Sequence, residues 1–212
     1  MERANALAGH TLGELACALG LAVPASLRRH KGWVGQLIET CLGAMATNRP
    51  VPDFENLGIE LKTLPVDRFG QPRETTYLCT VDLSEVEELQ WESSRARKKL
   101  ARVLFIPILA EPDIDLGARM VGSPILWSPN DAQEQALRRD WQEHMDLIAQ
   151  GLVETITARD GRYLQIRPKA ANAHVMTWGV DDRGDAVMTT PRGFYLRTSF
   201  TGELLRAHFG LI

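Results

Sequence analysis

The chain has 212 residues, 44% of them apolar and 24% charged, with a formal net charge of −3. That is enough apolar chain to bury a sizeable core, as one domain or as two small lobes. A mildly acidic balance does not advertise a nucleic-acid partner, yet it does not exclude one, because affinity comes from local phosphate contacts and a basic groove can sit on an acidic body.

Thr11 and Glu14 make a capping-box signature ahead of Leu12, Leu15, Ala16 and Leu19, which predicts a first helix ending at Gly20 and closed by Pro24. Between Lys31 and Gly43, the residues Val34, Leu37, Ile38, Cys41 and Leu42 recur at helical spacing as an apolar face, while Gly32, Gly35, Glu39 and Gly43 form a separate stripe. Each glycine weakens a helix by roughly 1 kcal/mol relative to alanine, a cost expected where the backbone passes close to something else. From Gly58 to Leu64 apolar and polar residues alternate, which predicts a half-buried strand with Ile59 and Leu61 toward a core and Glu60 and Lys62 toward a cleft. Thr75 to Asp82 alternates again, and the intervening Gly70 and Pro72 predict that the two strands form a hairpin. Leu100 to Leu109 and Met120 to Trp127 supply two more strands, giving a mixed sheet of at least four strands flanked by helices, an α/β class.

Further along, Ser128-Pro-Asn-Asp opens a long helix, Gln133 to about Ile148, with Leu137, Trp141, Met145 and Ile148 on one face. Asp160-Gly161 signals a tight turn between strands over 152–158 and 163–167, and Thr201 is expected to cap a final helix through Phe209. The acidic runs Ser84 to Glu92 and Asp131 to Asp146 read as solvated helical faces. All five histidines stand isolated, as surface or capping residues. No repeat, low-complexity tract or linker marks a lobe boundary.

The chemistry concentrates in Pro52 to Lys62, where Asp53 is followed after six residues by Glu60-x-Lys62. Side chains two apart on one strand face lie roughly 6 to 7 Å from each other, so a metal-binding carboxylate can sit beside an ammonium that meets an attacking water. Phosphodiester hydrolysis needs that combination, because hydroxide must be generated and held against an anionic substrate. Asp53 and Glu60 are hard oxygen donors suited to Mg²⁺, and Glu39 can deliver a third carboxylate if its helix lies against the strand. The same residues also suit a turn aspartate and an exposed cross-strand ion pair. The chain carries 19 arginines and only five lysines, Lys31, Lys62, Lys98, Lys99 and Lys169. Lysine is a compact point charge suited to a scissile phosphate or attacking water, whereas arginine is a planar fork.

These segments resemble the MutH family of DNA mismatch repair endonucleases. The resemblance rests on Lys-Gly-Trp-Val-Gly-Gln-Leu-Ile-Glu, Pro-Asp-Phe through Leu-Gly-Ile-Glu-Leu-Lys-Thr, Tyr-Leu-Gln-Ile-Arg-Pro-Lys-Ala-Ala-Asn-Ala and Pro-Arg-Gly-Phe-Tyr-Leu, in order from about Thr11 to Phe209. It implies a single nuclease domain over 1–212 with a restriction-endonuclease-like PD-(D/E)xK fold, two lobes around a DNA cleft, catalytic residues in the first half and DNA-reading residues in the second. It implies a catalytic set of Glu39, Asp53, Glu60 and Lys62, with Mg²⁺ on Asp53, Glu60 and the backbone carbonyl of Leu61. Lys31 and Lys99 would hold phosphates. Arg167, Pro168 and Lys169 would contact the recognition site, and Tyr195 would sense whether its adenine is methylated. The implied activity is nicking of the unmethylated strand at hemimethylated GATC in double-stranded DNA, by a monomer that MutL activates after MutS finds a mismatch. Ala101, His174 and Thr198 stand in neighbourhoods where the family often carries lysine, which would weaken the grip on phosphates and increase dependence on a recruiting partner.

Two other classes fit the same residues: a partner-independent restriction endonuclease cutting both strands of a GATC-like site, and a non-cleaving DNA-binding module. Cys17, Cys41 and Cys79 are odd in number and far apart, so they read as buried thiols of a reduced compartment and not as a zinc site. The longest near-apolar run, Val103 to Ala110, falls far short of the roughly 20 residues a membrane helix needs, and no secretion signal is legible. A cytoplasmic protein without membrane association is expected.

Overall fold

Local hydrogen bonding sets the first elements. In the computed structural model, which describes residues 1–44, 51–83, 89–170 and 174–210, a short helix α1 (Glu2–Asn5) precedes α2 (Leu12–Ala18). The Thr11 hydroxyl accepts from the Glu14 amide and the Glu14 carboxylate accepts from the Thr11 amide, the reciprocal cap expected there. Helix α3 (Trp33–Leu42) is bounded by two left-handed glycines, Gly32 at φ 88° and Gly43 at φ 76°. Two of the three glycines on the expected stripe are therefore end residues, where the missing Cβ removes a steric cost. Gly35, inside the helix, approaches no foreign backbone among the described residues: the nearest atom to a Cβ built there is Glu39 Oε1 at 4.0 Å.

The remaining elements are β1 (Glu60–Val66), β2 (Thr76–Thr80), α4 (Arg95–Leu100), β3 (Val103–Leu109), β4 (Ile125–Trp127), α5 (Asp131–Ala149), β5 (Leu164–Pro168), β6 (Thr177–Val180), β7 (Ala186–Thr189), β8 (Arg192–Leu196) and α6 (Thr198–Phe209). Contacts divide the chain into two compact units. The first comprises Met1–Glu74, Leu100–Ser128 and Thr201–Ile212, and the second Thr75–Lys99 and Pro129–Phe200.

The first unit is built on a mixed sheet in the order β1-β3-β4, with β1 and β3 parallel and β3 and β4 antiparallel. One face carries Leu61, Leu104, Ile106 and Ile108, covered by Leu12, Leu15 and Ala16 of α2 and Leu37, Ile38 and Leu42 of α3. The opposite face is also buried at Glu60, Leu64, Val103 and Phe105. Every residue from Val103 to Ile108 is buried, the pattern of a strand covered on both faces. Glu60, which the alternation set toward a cleft, is thus buried on this face.

The hairpin expected between β1 and β2 does not form. The turn exists: Asp67 Oδ1 accepts from the amides of Phe69 and Gln71, and the Arg73 amide donates to the Pro65 carbonyl. Beyond it, however, β2 joins the second unit's sheet, of order β2-β8-β5 with both pairings antiparallel. Among the described residues the first unit's sheet consequently has three strands and not four.

In the second unit α5 begins at Asp131, two residues before the expected start, because the Asn130 side chain and Gln133 cap each other. Leu137, Trp141, Met145 and Ile148 are buried as its periodicity indicated. Two polar residues share that buried face, contrary to the solvated surface expected of them. Asp140, 3% exposed, accepts from the amides of Arg162, Tyr163 and Leu164 at 2.9, 2.6 and 2.8 Å. His144, 1% exposed, places Nε2 3.2 Å from the Leu164 carbonyl. Residues 152–158 hold a 3₁₀ turn at Val153–Thr155 and no strand, and Arg197 Nη1 donates to the carbonyls of Ala158, Arg159 and Gly161. The turn at Asp160-Gly161 is present, with Gly161 at φ 81° and a Cβ there falling 1.9 Å from the Leu164 carbonyl oxygen. Helix α6 starts at Thr198, which leaves Thr201 buried within it and not at its cap. Cys17 is exposed, and of the three thiols only Cys79 is fully buried. Residues 84–88 of the first acidic run lie outside the described residues.

Burial pushes the His144 imidazole below its ordinary value of 6.5, opposed by the Leu164 carbonyl and the charges of Asp140, Asp160 and Glu143. The native state thus resists a proton that the unfolded chain takes up near that value. Stability from this site is complete above it and declines as pH falls through it. The urea midpoint should drop between about pH 7.5 and about pH 5.5, and His144→Gln should flatten that slope. An equal slope in both proteins would assign the pH dependence to other groups.

Candidate active site

A small backbone device brings Asp53 to the strand. Phe54 and Ile59 form an antiparallel bridge, with hydrogen bonds of 2.9 and 3.3 Å between their amides and carbonyls. The four residues between them are turned back by a 3₁₀ turn over Glu55–Leu57 and by Gly58 at φ 61°. Residue 53 is thereby folded beside residues 60 and 61, which gives the six-residue spacing its physical meaning. β1 ends the sheet order, and successive amides point to opposite sides: Glu60 N–H donates to the Arg102 carbonyl, while Leu61 N–H donates to Asp53 Oδ2 at 2.7 Å. Glu60 is 1% exposed, and its Oε1 accepts from Lys62 Nζ at 2.5 Å. Attraction between charges is stronger at such a site than in water, and the ammonium offsets part of the desolvation of the carboxylate.

Asp53, Glu60 and Lys62 are thus gathered around Leu61. One or two carboxylates are the protein share that a hexacoordinate, water-retaining divalent cation such as Mg²⁺ accepts, so the oxygen donors of Asp53 and Glu60 suit the expected metal. Glu39 lies half-buried on α3. Among the described residues, no group of three His, Cys, Asp or Glu side chains stands close enough to hold one ion together. Lys31 is exposed just ahead of α3, whereas Lys99 in the last turn of α4 is only 8% exposed.

A second constellation occupies the β2-β8-β5 sheet. In the β5–β8 register Arg167 faces Gly193 and Pro168 faces Arg192, with Tyr195 two places further along β8. The Arg167 guanidinium stands 5.9 Å from the Tyr195 ring centroid and donates to the Thr75 hydroxyl at 3.0 Å. Lys169 Nζ lies 4.1 Å above the Tyr77 ring, whose edge meets Tyr195 at 5.3 Å between centroids. Tyr77 and Thr80 hydroxyls are 3.0 Å apart. A Cβ at Gly193 would stand 3.0 Å from the Tyr77 ring and 3.3 Å from both the Cys79 carbonyl oxygen and the Tyr195 ring, so a larger residue at this position in Pro-Arg-Gly-Phe-Tyr-Leu would have to shift these neighbours by a few tenths of an ångström. Burial, followed by the neighbouring Tyr77, pushes the Tyr195 phenol above 10, opposed by Arg167; it remains a neutral hydroxyl.

Tyr77 joins this group without having been singled out from sequence. Its signal was the β2–β8 register that sets it opposite Tyr195, and that register was hidden once β2 was read as the hairpin partner of β1. The two cations sit over aromatic faces, an arrangement worth about 0.5 to 2 kcal/mol each.

A family model described as DNA mismatch repair enzyme MutH matches residues 42–140. Over 208 residues the chain is 54% identical to the DNA mismatch repair protein MutH of Yersinia enterocolitica and 55% identical to that of Serratia proteamaculans, in each case 98% of this chain and 91% of the relative. Against the MutH protein of Escherichia coli O127:H6 it is 53% identical over 209 residues, 99% of this chain and 91% of the relative. Among the described residues no helix is long and apolar enough to cross a membrane.

Proposed function

The chain belongs to the MutH family of DNA mismatch repair enzymes, and from that premise we propose that it is a Mg²⁺-dependent endonuclease that nicks the unmethylated strand at hemimethylated GATC sites. We take it to act as a cytoplasmic monomer activated by MutL once MutS has found a mismatch. The observation that carries this reading is the convergence of Asp53 and Lys62 with the buried Glu60 on either side of Leu61. Structural surface charges have no reason to be gathered in this way, since a buried ion pair is weak in net stability.

Asp53, Glu60 and the Leu61 carbonyl would hold the cation. When bound, it would lower the pKa of water and offset the charge that builds on the five-coordinate phosphorus. Lys62 Nζ orients the attacking oxygen and holds its proton relay close to Glu60 Oε1. Glu39 acts from α3 on the same centre, and Lys31 and Lys99 grip phosphates. Arg167 and Lys169 contact base edges beside Pro168, with Arg167 offering the two-pronged guanine contact that lysine cannot. Tyr195 places a ring edge and a neutral hydroxyl at the adenine amino group. A methyl group there should cost roughly 1 to 3 kcal/mol, a margin that discriminates without forbidding.

The test is a strand-resolved cleavage assay on matched duplexes with unmethylated, hemimethylated or fully methylated GATC, in Mg²⁺, with and without MutL plus ATP. MutL-stimulated nicking confined to the unmethylated strand supports the proposal. Double-strand cutting without a partner would favour a restriction enzyme, and binding without cutting a DNA-binding module. In the same system Arg167→Ala should weaken cognate binding by about 1 to 3 kcal/mol more than random-sequence binding, whereas Lys31→Ala should weaken both alike. Indistinguishable effects would remove the division between base and phosphate contacts.

A further inference from the structure

We infer that Glu154 is a positioning residue for base readout, tying together the two ends of the β7–β8 connection that supports Pro168 and Lys169. Glu154 Oε1 accepts from the Thr189 hydroxyl at 2.6 Å, and Oε2 accepts from Arg192 Nη2 at 2.7 Å. Thr189 ends β7 and Arg192 begins β8, so one carboxylate clamps both sides of the intervening Thr190-Pro191. Within that clamp the Pro191 carbonyl accepts from the Lys169 amide at 2.7 Å, and Arg192 faces Pro168 in the β5–β8 register. The Arg192 carbonyl also accepts from Val81 N–H, which carries the same fixed point to the strand holding Tyr77.

The asymmetry of the pair is informative. The Arg192 side chain is 8% exposed and that of Glu154 71%. A largely covered guanidinium needs its counter-charge more than an exposed carboxylate does. The Thr189 hydroxyl, followed by Arg192, holds the Glu154 carboxyl below its ordinary value, so it is ionised in neutral solution. Losing it releases Arg192 and thereby the backbone from which Arg167 and Lys169 project. Base contacts depend on placement within a fraction of an ångström, while phosphate contacts tolerate more. The effect should therefore fall on sequence discrimination.

This inference rests on the proposed DNA-reading role of Arg167 and Lys169, so the experiment measures both. Wild type, Arg167→Ala and Glu154→Ala are titrated with a cognate GATC duplex and a random-sequence duplex at one salt concentration. Melting temperatures and single-turnover nicking at saturating cognate DNA are recorded in parallel. The expected result is a cognate-to-random affinity ratio lowered about tenfold in Glu154→Ala, with the saturated nicking rate within about twofold of wild type. An unchanged ratio in a folded Glu154→Ala, or equal weakening on both duplexes, overturns the inference. Failure of wild type to discriminate, or of Arg167→Ala to change the ratio, instead overturns the reading beneath it. Should Glu154→Ala melt below the assay temperature, Thr189→Val cuts the β7 half of the clamp and leaves Arg192 its partner. It should lower the ratio about threefold, and no change there counts against the inference equally.

Discussion

Lys62→Ala is expected to lower strand cleavage by about 10³-fold, the scale of a positioned proton-transfer or nucleophile-orienting group, while affinity for the cognate duplex changes little. Removing the ammonium also strips the Lys62 contact from a carboxylate that is 1% exposed, so a melting curve must accompany the assay. Lys62 is itself 18% exposed, which limits the stability loss to below the 3 to 5 kcal/mol typical of a fully buried pair. A folded variant that binds and does not cut supports the orienting role. Comparable losses of affinity and cleavage would make Lys62 a phosphate contact, and full activity would displace it from the reaction. Lys62→Arg sharpens the result, because charge is kept but the compact ammonium is replaced by a wide fork. Little recovery is expected.

The two helix starts closed by reciprocal caps within four residues were legible from sequence. Thr11 with Glu14, and the segment that opens α5, announced their helices because each cap is a local reciprocal bond. The apolar face of α5 was equally plain. Strand partnership was not. Nothing local distinguishes a β1–β2 hairpin from a turn after which β2 leaves for a different sheet, and the β1–β3 pairing joins segments more than 40 residues apart. Residues 152–158 misled for a related reason. Alternation there resembles a strand, but its backbone is engaged by the Arg197 guanidinium and a 3₁₀ turn.

The candidate site divides along the same line. Asp53, Glu60 and Lys62 come together because the Phe54–Ile59 bridge is short-range and its spacing is written in the chain. The burial of Glu60 was hidden, since period-two alternation assumes one wet face and this sheet has none at that point. The glycines around α3 looked like a close-approach stripe, yet Gly32 and Gly43 serve its ends. Tyr77 could only be added once the register with Tyr195 was known.

Asp140→Ala should cost about 4 kcal/mol by urea unfolding at neutral pH. One carboxylate accepts three successive amides, those of Arg162, Tyr163 and Leu164. It therefore fixes the entry into β5 and the register that leads to Arg167. Each buried amide left without an acceptor costs about 1 to 3 kcal/mol, more where the lost acceptor is charged. Arg162 is exposed and can turn to water, but Tyr163 and Leu164 are buried, so two of the three penalties stand in full. Against a typical total of about 5 to 15 kcal/mol, such a loss leaves the variant marginal. Asp140→Asn retains one carbonyl acceptor and turns an amide donor toward the others, so it should lie between the two, near 2 kcal/mol. A loss below about 1 kcal/mol for Asp140→Ala would mean that the 162–164 amides find water instead and that β5 is not anchored from α5. Where the Asn variant remains folded, its base discrimination should fall with its stability, because the strand that carries Arg167 has lost the contact that sets where it begins.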